Sequence, residues 1–229
     1  MQKAIIHRST LDFLTALSKN NNRDWFNQNK DRYLRELEHM VVFADALLDK
    51  MRTHDLIETE SGKKSLFRIY NDTRFFKNKP PYKNHWAGGF TRATKKLRGS
   101  YYFHIQPGNS YISGGFYGPN PDDLKRIRQD IDMNYSDWRK LMNSAGIKKT
   151  FGTFIEERVA TAPRGYAANH PAIDLLRQKT FYMRHYFTNE EVLSPGFLDN
   201  MNKTFRALRP FLDHMSEILT TNLNGEPLV

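Results

Sequence analysis

The sequence predicts an α+β protein, with a central antiparallel sheet flanked by N-terminal and C-terminal helices. Apolar residues near both ends recur at helical spacing, from Phe26 to Met51 and from Phe197 to Leu219. Between Ser65 and Tyr117 the pattern changes to aromatic and β-branched runs separated by turn residues. Helical spacing then returns after Asn120-Pro121. Helices before and after a group of strands fit an antiparallel sheet covered on one face. No linker, repeat or low-complexity stretch interrupts this order, so residues 1–229 read as a single domain.

Ser9 or Thr10 is expected to cap a first helix through Leu17, with Leu11, Leu14 and Leu17 on one face. Asn20-Asn21-Asn22 breaks it. Asp24 is expected to start a longer helix whose stripe runs through Phe26, Tyr33, Met40, Ala44, Leu47 and Met51. Residues 66–75 and 101–106 read as strands, and 111–117 follows the Pro107-Gly108-Asn109-Ser110 turn as a third. Gly114-Gly115 inside that third run implies a bulge or a close backbone approach. Asn120-Pro121 supplies a cap and a proline at the first helical position, continued by Leu124, Ile127 and Ile131. Ser136 is expected to cap a segment holding Trp138, and Pro171 to open a short helix through Leu176. The last helix begins near Pro195, and Pro210 should bend it without ending it, because the stripe continues on both sides.

With 39% apolar and 13% aromatic residues over 229 positions, the chain can bury a core without a metal or disulfide staple. It has no cysteine, which excludes disulfides, thiolate catalysis and cysteine-ligated metals, and fits a reducing compartment. The first residues form no signal peptide and no apolar run reaches about 18 residues, so the expected location is cytoplasmic, away from the membrane. Thirty-five Lys and Arg against 25 Asp and Glu give a net charge of +10, which attracts anions over long range. Phosphate-loop, dinucleotide-binding, zinc-protease and serine-hydrolase motifs are all missing, and the eight histidines lack ligand spacing, so no metal is expected and no cofactor is named.

One cluster concentrates chemistry. If residues 66–75 form a strand, Phe67, Ile69, Thr73 and Phe75 share a core face, and Arg68, Tyr70, Asp72 and Arg74 share the other. Residues two apart on one strand face lie about 7 Å apart, a gap long arginine side chains can bridge. Asp72 would then orient both arginines and leave guanidinium donors for a carboxylate or phosphate. The stiff Pro80-Pro81 pair holds Lys79, Tyr82, Lys83 and His85 beside them. Strand alternation also groups Tyr102, His104 and Gln106, so His104 is expected to join this face, where nearby cations would lower its proton affinity and suit it to act as a base. The competing reading is a solvated salt-bridge network, each exposed pair of which contributes about 0–1 kcal/mol.

The segments Phe13 to Phe26, with Asn20-Asn21-Asn22-Arg23-Asp24-Trp25-Phe26, and Phe67-Arg68-Ile69-Tyr70-Asn71-Asp72-Thr73-Arg74-Phe75 with Lys79 to His85 resemble the domain-of-unknown-function 2461 family. Tyr101 to Gly108, Gly114-Gly115, His170 to Leu176 and Leu193-Ser194-Pro195 extend the resemblance over nearly the whole chain. Two positions depart from the family's pattern: Phe76 stands where a serine is usual, and Gln106 where a glutamate often precedes the turn. The resemblance implies a cytoplasmic, mostly microbial protein without an established activity, and supplies no catalytic residue. The leading expectation is therefore a pocket for a small anionic ligand lined by Arg68, Asp72, Arg74, Lys79, Tyr82, Lys83, His85 and His104, with or without catalysis. The alternatives are a nucleic-acid or polyanion-binding module using the same basic loop, and a scaffold whose Phe76 and Tyr82 meet a protein partner.

Overall fold

The computed structural model describes residues 4–72, 74, 79–93, 96–222 and 226–227. Helix α1 (Arg8–Lys19) buries Leu11, Phe13, Leu14 and Leu17. Neither Ser9 nor Thr10 caps it. His7 holds the cap position without a side-chain bond, and Thr10 turns inward to donate to Glu36 Oε2 at 2.7 Å. The long helix expected from Asp24 is two helices, α2 (Arg23–Gln28) and α3 (Lys30–Arg52). Asn22 caps α2 by accepting from the Trp25 N–H, and Asn29 ends it by donating its side-chain amide to the Trp25 carbonyl at 2.9 Å. The apolar stripe survives the break, since the Phe26 and Tyr33 rings remain 5.1 Å apart. Next comes α4 (Gly62–Ser65), packed against α3. A Cβ on Gly62 would overlap the backbone of Ala44 and Asp45, and its N–H donates to Asp45 Oδ1 at 2.5 Å, so only glycine permits this approach.

Four strands, β1 (Trp86–Thr91), β2 (Ser100–Ile105), β3 (Ser110–Phe116) and β4 (Phe181–Phe187), form an antiparallel sheet in the order β1-β2-β3-β4. The expected strands at 101–106 and 111–117 match β2 and β3 to within one residue at each end. The strand expected at 66–75 is absent among the described residues: Leu66 and Tyr70 make only isolated bridges, to Gly88 and Tyr82. Ile69 is buried as foreseen, but Phe67 is half exposed, contrary to a core-facing position. Thr73 and Phe75, also assigned to the core face, lie outside the described residues, as do Phe76, Lys77 and Lys95. Gly115 meets the close-approach expectation. At φ +131° its missing side chain makes room for the Phe181 carbonyl and the Tyr182 backbone on β4.

The chain divides into two compact units: Met1–Phe90, Tyr102–Ile112 and Tyr186–Lys203 form the first, and Thr91–Tyr101, Ser113–His185 and Thr204–Val229 the second. The first has a core of Phe13, Phe26, Tyr33, Phe43 and Trp86, with the Tyr33 and Trp86 rings stacked at 5.6 Å. In the second, α5 (Pro121–Met142) packs against α6 (Ala145–Phe151) and α7 (Ile173–Leu176), around Trp138, Phe154, Phe181 and Phe211. Asn120 caps α5 by accepting from the Asp123 N–H at 2.9 Å, with proline next, as expected. After α8 (Asn189–Val192), helix α9 (Phe197–Thr220) runs through Pro210 without ending. No helix among the described residues is long and apolar enough to cross a membrane.

The second unit buries a full charge. Arg92, with its side chain fully buried, pairs with Asp213 on α9 and donates to Ser216 Oγ and the Arg98 carbonyl, each at 3.2 Å. Removing one member of such a pair costs more than replacing both, because the remaining charge stays desolvated. Asp213→Ala is therefore expected to lower the urea-unfolding free energy by about 3 kcal/mol. The double variant Arg92→Met/Asp213→Ala should be more stable than Asp213→Ala alone.

Candidate functional site

The segment carrying most of the predicted site residues is pinned in the first unit by a side-chain amide. Asn21 donates to the Tyr82 carbonyl at 2.9 Å and accepts the Tyr82 N–H at 3.1 Å, pairing with it as a neighbouring strand would. On the other side of the loop, the Asn71 N–H donates to the Pro81 carbonyl and the Lys83 N–H to the Ile69 carbonyl. Tyr82 itself is buried, stacked on Phe26 at 3.9 Å, so its ring is part of the scaffold. Lys30 secures the opposite edge: its ammonium lies 5.2 Å from the Phe26 and Tyr33 ring centres and bonds the Tyr70 hydroxyl at 3.0 Å.

Around this loop gather Arg68, Asp72, Arg74, Lys79 and Lys83. Arg74 clamps Asp72 with two side-chain bonds, at 3.0 and 2.7 Å, and a backbone bond at 3.1 Å. Those bonds hold the Asp72 carboxyl below the usual carboxylate range, and the charges of Arg68 and Lys79 add to them. No ion pair joins Arg68 to Asp72 among the described residues, so the expected arginine–aspartate–arginine arrangement is a single pair with Arg68 beside it. Lys83 turns its ammonium under the loop, onto the Arg68 carbonyl at 2.5 Å and the Tyr70 carbonyl at 3.0 Å. Partial burial lowers its proton affinity, and the charges of Arg68 and Lys79 lower it further. Arg74, Arg68 and Lys79 thus act on one carboxylate, and Lys83 lies near Arg68 and Lys79.

His85 and His104, two of the expected site residues, meet through their rings. Their rings stack at 4.1 Å, and His104 stacks on Tyr111 at 4.6 Å on its other side. Tyr186 follows at 5.5 Å, which completes a row of rings running from the start of β1 across β2, β3 and β4. The Asn109 amide donates to Gln106 Oε1, which fixes that oxygen as the acceptor for His104 Nε2–H at 2.9 Å. His104 Nδ1 then accepts the Tyr102 hydroxyl at 3.1 Å. His104 is buried within a Tyr102–His104–Gln106 chain, and rings stack on it where arginines were expected. Burial first, then His104 and Lys83, push His85 down to about 4. Tyr111 and Tyr186 were missed by the sequence reading. Their signal was present, because Tyr111 stands one residue after the turn and Tyr186 alternates with Phe187 and His185 along β4.

The model of a family described as a conserved hypothetical protein (DUF2461) matches residues 9–214. Nothing among the curated proteins or the solved structures matches the chain.

Two outcomes test this geometry. Asn21→Ala is expected to cost about 1–3 kcal/mol, because it leaves both Tyr82 backbone groups without their partner. Hydrogen exchange at residues 82 and 83 should accelerate with it. For His85 the folded-state proton affinity is depressed, so its contribution is fully present above about pH 6.5 and is lost as pH falls toward about 4. Its partly solvated ring limits the loss to roughly 1–2 kcal/mol. His85→Phe should flatten the stability profile between those values in urea titrations.

Proposed function

The chain belongs to the DUF2461 family, whose description names no activity, and from the geometry we propose that it binds a small phosphate- or carboxylate-bearing anion at Arg68, Asp72, Arg74, Lys79 and Lys83. The observation that carries this reading is the excess of positive charge where Arg68, Arg74 and Lys79 act on the single carboxylate of Asp72, with Lys83 near Arg68 and Lys79. An external anion offsets that excess. Arg68 supplies the planar donor fork suited to it, Asp72 orients Arg74, and Lys83 adds charge from beneath the loop.

The stacked rings favour this reading over a nucleic-acid module. Bases bind by stacking on open aromatic faces, whereas His85, His104 and Tyr111 cover one another's faces. Both nitrogens of His104 are engaged, one by Tyr102 and one by Gln106. His104 is therefore a positioning group that steadies His85 beside Lys83, and the site binds without using it as a base.

Thermal-shift titration with pyrophosphate, inorganic phosphate and citrate tests the proposal. An anion at about 100 times its Kd should add about 2.7 kcal/mol, a rise in Tm of several degrees. Arg68→Ala should weaken that binding about tenfold, the effect of losing one charge-assisted hydrogen bond. His104→Asn should leave the affinity within about twofold. Unchanged stabilisation in Arg68→Ala, or none by any probe in the unaltered protein, overturns it.

A further inference from the structure

We infer that the first unit also binds a small aliphatic monocarboxylate, in a pocket between α1 and the turn that follows β2. The pocket has a volume of about 230 Å³. That lies below the roughly 300–1,000 Å³ of drug-sized sites and suits a small metabolite. Ser18 and Lys19 reach it from the last turn of α1, Asn84 from just before β1, and Gln106 from the end of β2, all within the first unit.

The polar groups left without a protein partner in this pocket are donors. Gln106 Oε1 is engaged by the Asn109 amide at 3.2 Å and by the buried His104 at 2.9 Å, so the NH2 group of Gln106 is what remains. Asn84 Oδ1 lies 3.5 Å from His85 Nδ1, which leaves the Asn84 NH2 group in the same condition. The Ser18 hydroxyl and the Lys19 ammonium likewise have no partner among the described residues. No carboxylate lines the pocket. Because His104 and Asn109 hold Gln106 from behind, its donors lose little freedom when a ligand arrives. The C-terminus of α1 would by itself repel an anion. Asn20 covers it, donating its backbone N–H to the Leu17 carbonyl and its side-chain amide to the Ala16 carbonyl at 2.9 Å.

These groups also select the ligand. Donors from four side chains with a single positive charge match one carboxylate, whose two oxygens offer about four acceptor sites. A phosphate dianion or a dicarboxylate would meet only one cation here, Lys19. Leu14 and Pro107 add apolar surface for a short alkyl body.

Amide NMR of the isotopically labelled full chain, titrated with sodium isobutyrate against sodium chloride at equal ionic strength, tests the inference. The side-chain NH2 signals of Asn84 and Gln106 should shift together and saturate. Gln106→Glu keeps the oxygen that meets Asn109 and His104 but replaces the donor with a negative charge. This variant and Lys19→Met, at an exposed position, should each weaken binding about tenfold or more. Lys203→Met, at an exposed position of the same unit outside the pocket, should leave binding within about twofold. Shifts that fail to saturate overturn the site, as does equal weakening by Lys203→Met, which would mark general charge attraction. Inorganic phosphate moving the same signals at lower concentration overturns the ligand class. The pocket shares no residue with the charged loop, so Arg68→Ala should leave isobutyrate binding unchanged. Loss of binding in that variant would overturn a separate site, and otherwise either proposal can fail while the other stands.

Discussion

The double hydrogen bond between the Asn21 side chain and the Tyr82 backbone is the constraint on which the first unit's site depends. A loop with two consecutive prolines lacks two of its backbone donors, and Pro80-Pro81 leaves Tyr82 as the next residue whose backbone N–H can donate outward. Asn21 meets it from the junction between α1 and α2, and the Tyr82 ring seals the arrangement against Phe26. With Tyr82 fixed, Lys83 has one direction in which to extend, toward the carbonyls of Arg68 and Tyr70. His85, two residues on, is delivered to its stacking partner in the same way. The positions of the charged groups are thus set by buried neutral contacts, and the charges themselves contribute little to holding the loop.

Much of the architecture was legible because the relevant signals are local. The turn at residues 107–110 and the cap at Asn120 are read from a few adjacent residues, and both appear where expected. The stripe from Phe26 to Met51 was correct as a packing pattern, but the break at Asn29 was invisible to it, since two helices in line preserve the same spacing. Residues 66–75 alternate like a strand, yet Leu66 to Asn71 find backbone partners in the Pro80–Lys83 loop and at single points of β1, and no continuous ladder forms among the described residues. Alternation records which side chains could share a face, and ladder formation depends on a neighbour that is distant in sequence.

The same division runs through the site. Tyr102, His104 and Gln106 were grouped correctly, because a strand's two-residue period places them together whatever the rest of the fold does. The partners of His104 on other strands were not legible, since they depend on register. Asp72 was expected to orient both Arg68 and Arg74, but it bonds Arg74 through side chain and backbone while Arg68 contributes only its charge.

The division of the chain has a consequence for how the protein can have been assembled in evolution. Each compact unit is built from three separate stretches of chain that alternate with those of the other. No single cut releases either one, and a gene fragment encoding one unit would always carry part of its neighbour. The two units are therefore inherited as a pair. Gene fusion and exon exchange, which move contiguous modules between proteins, have no place to act between them.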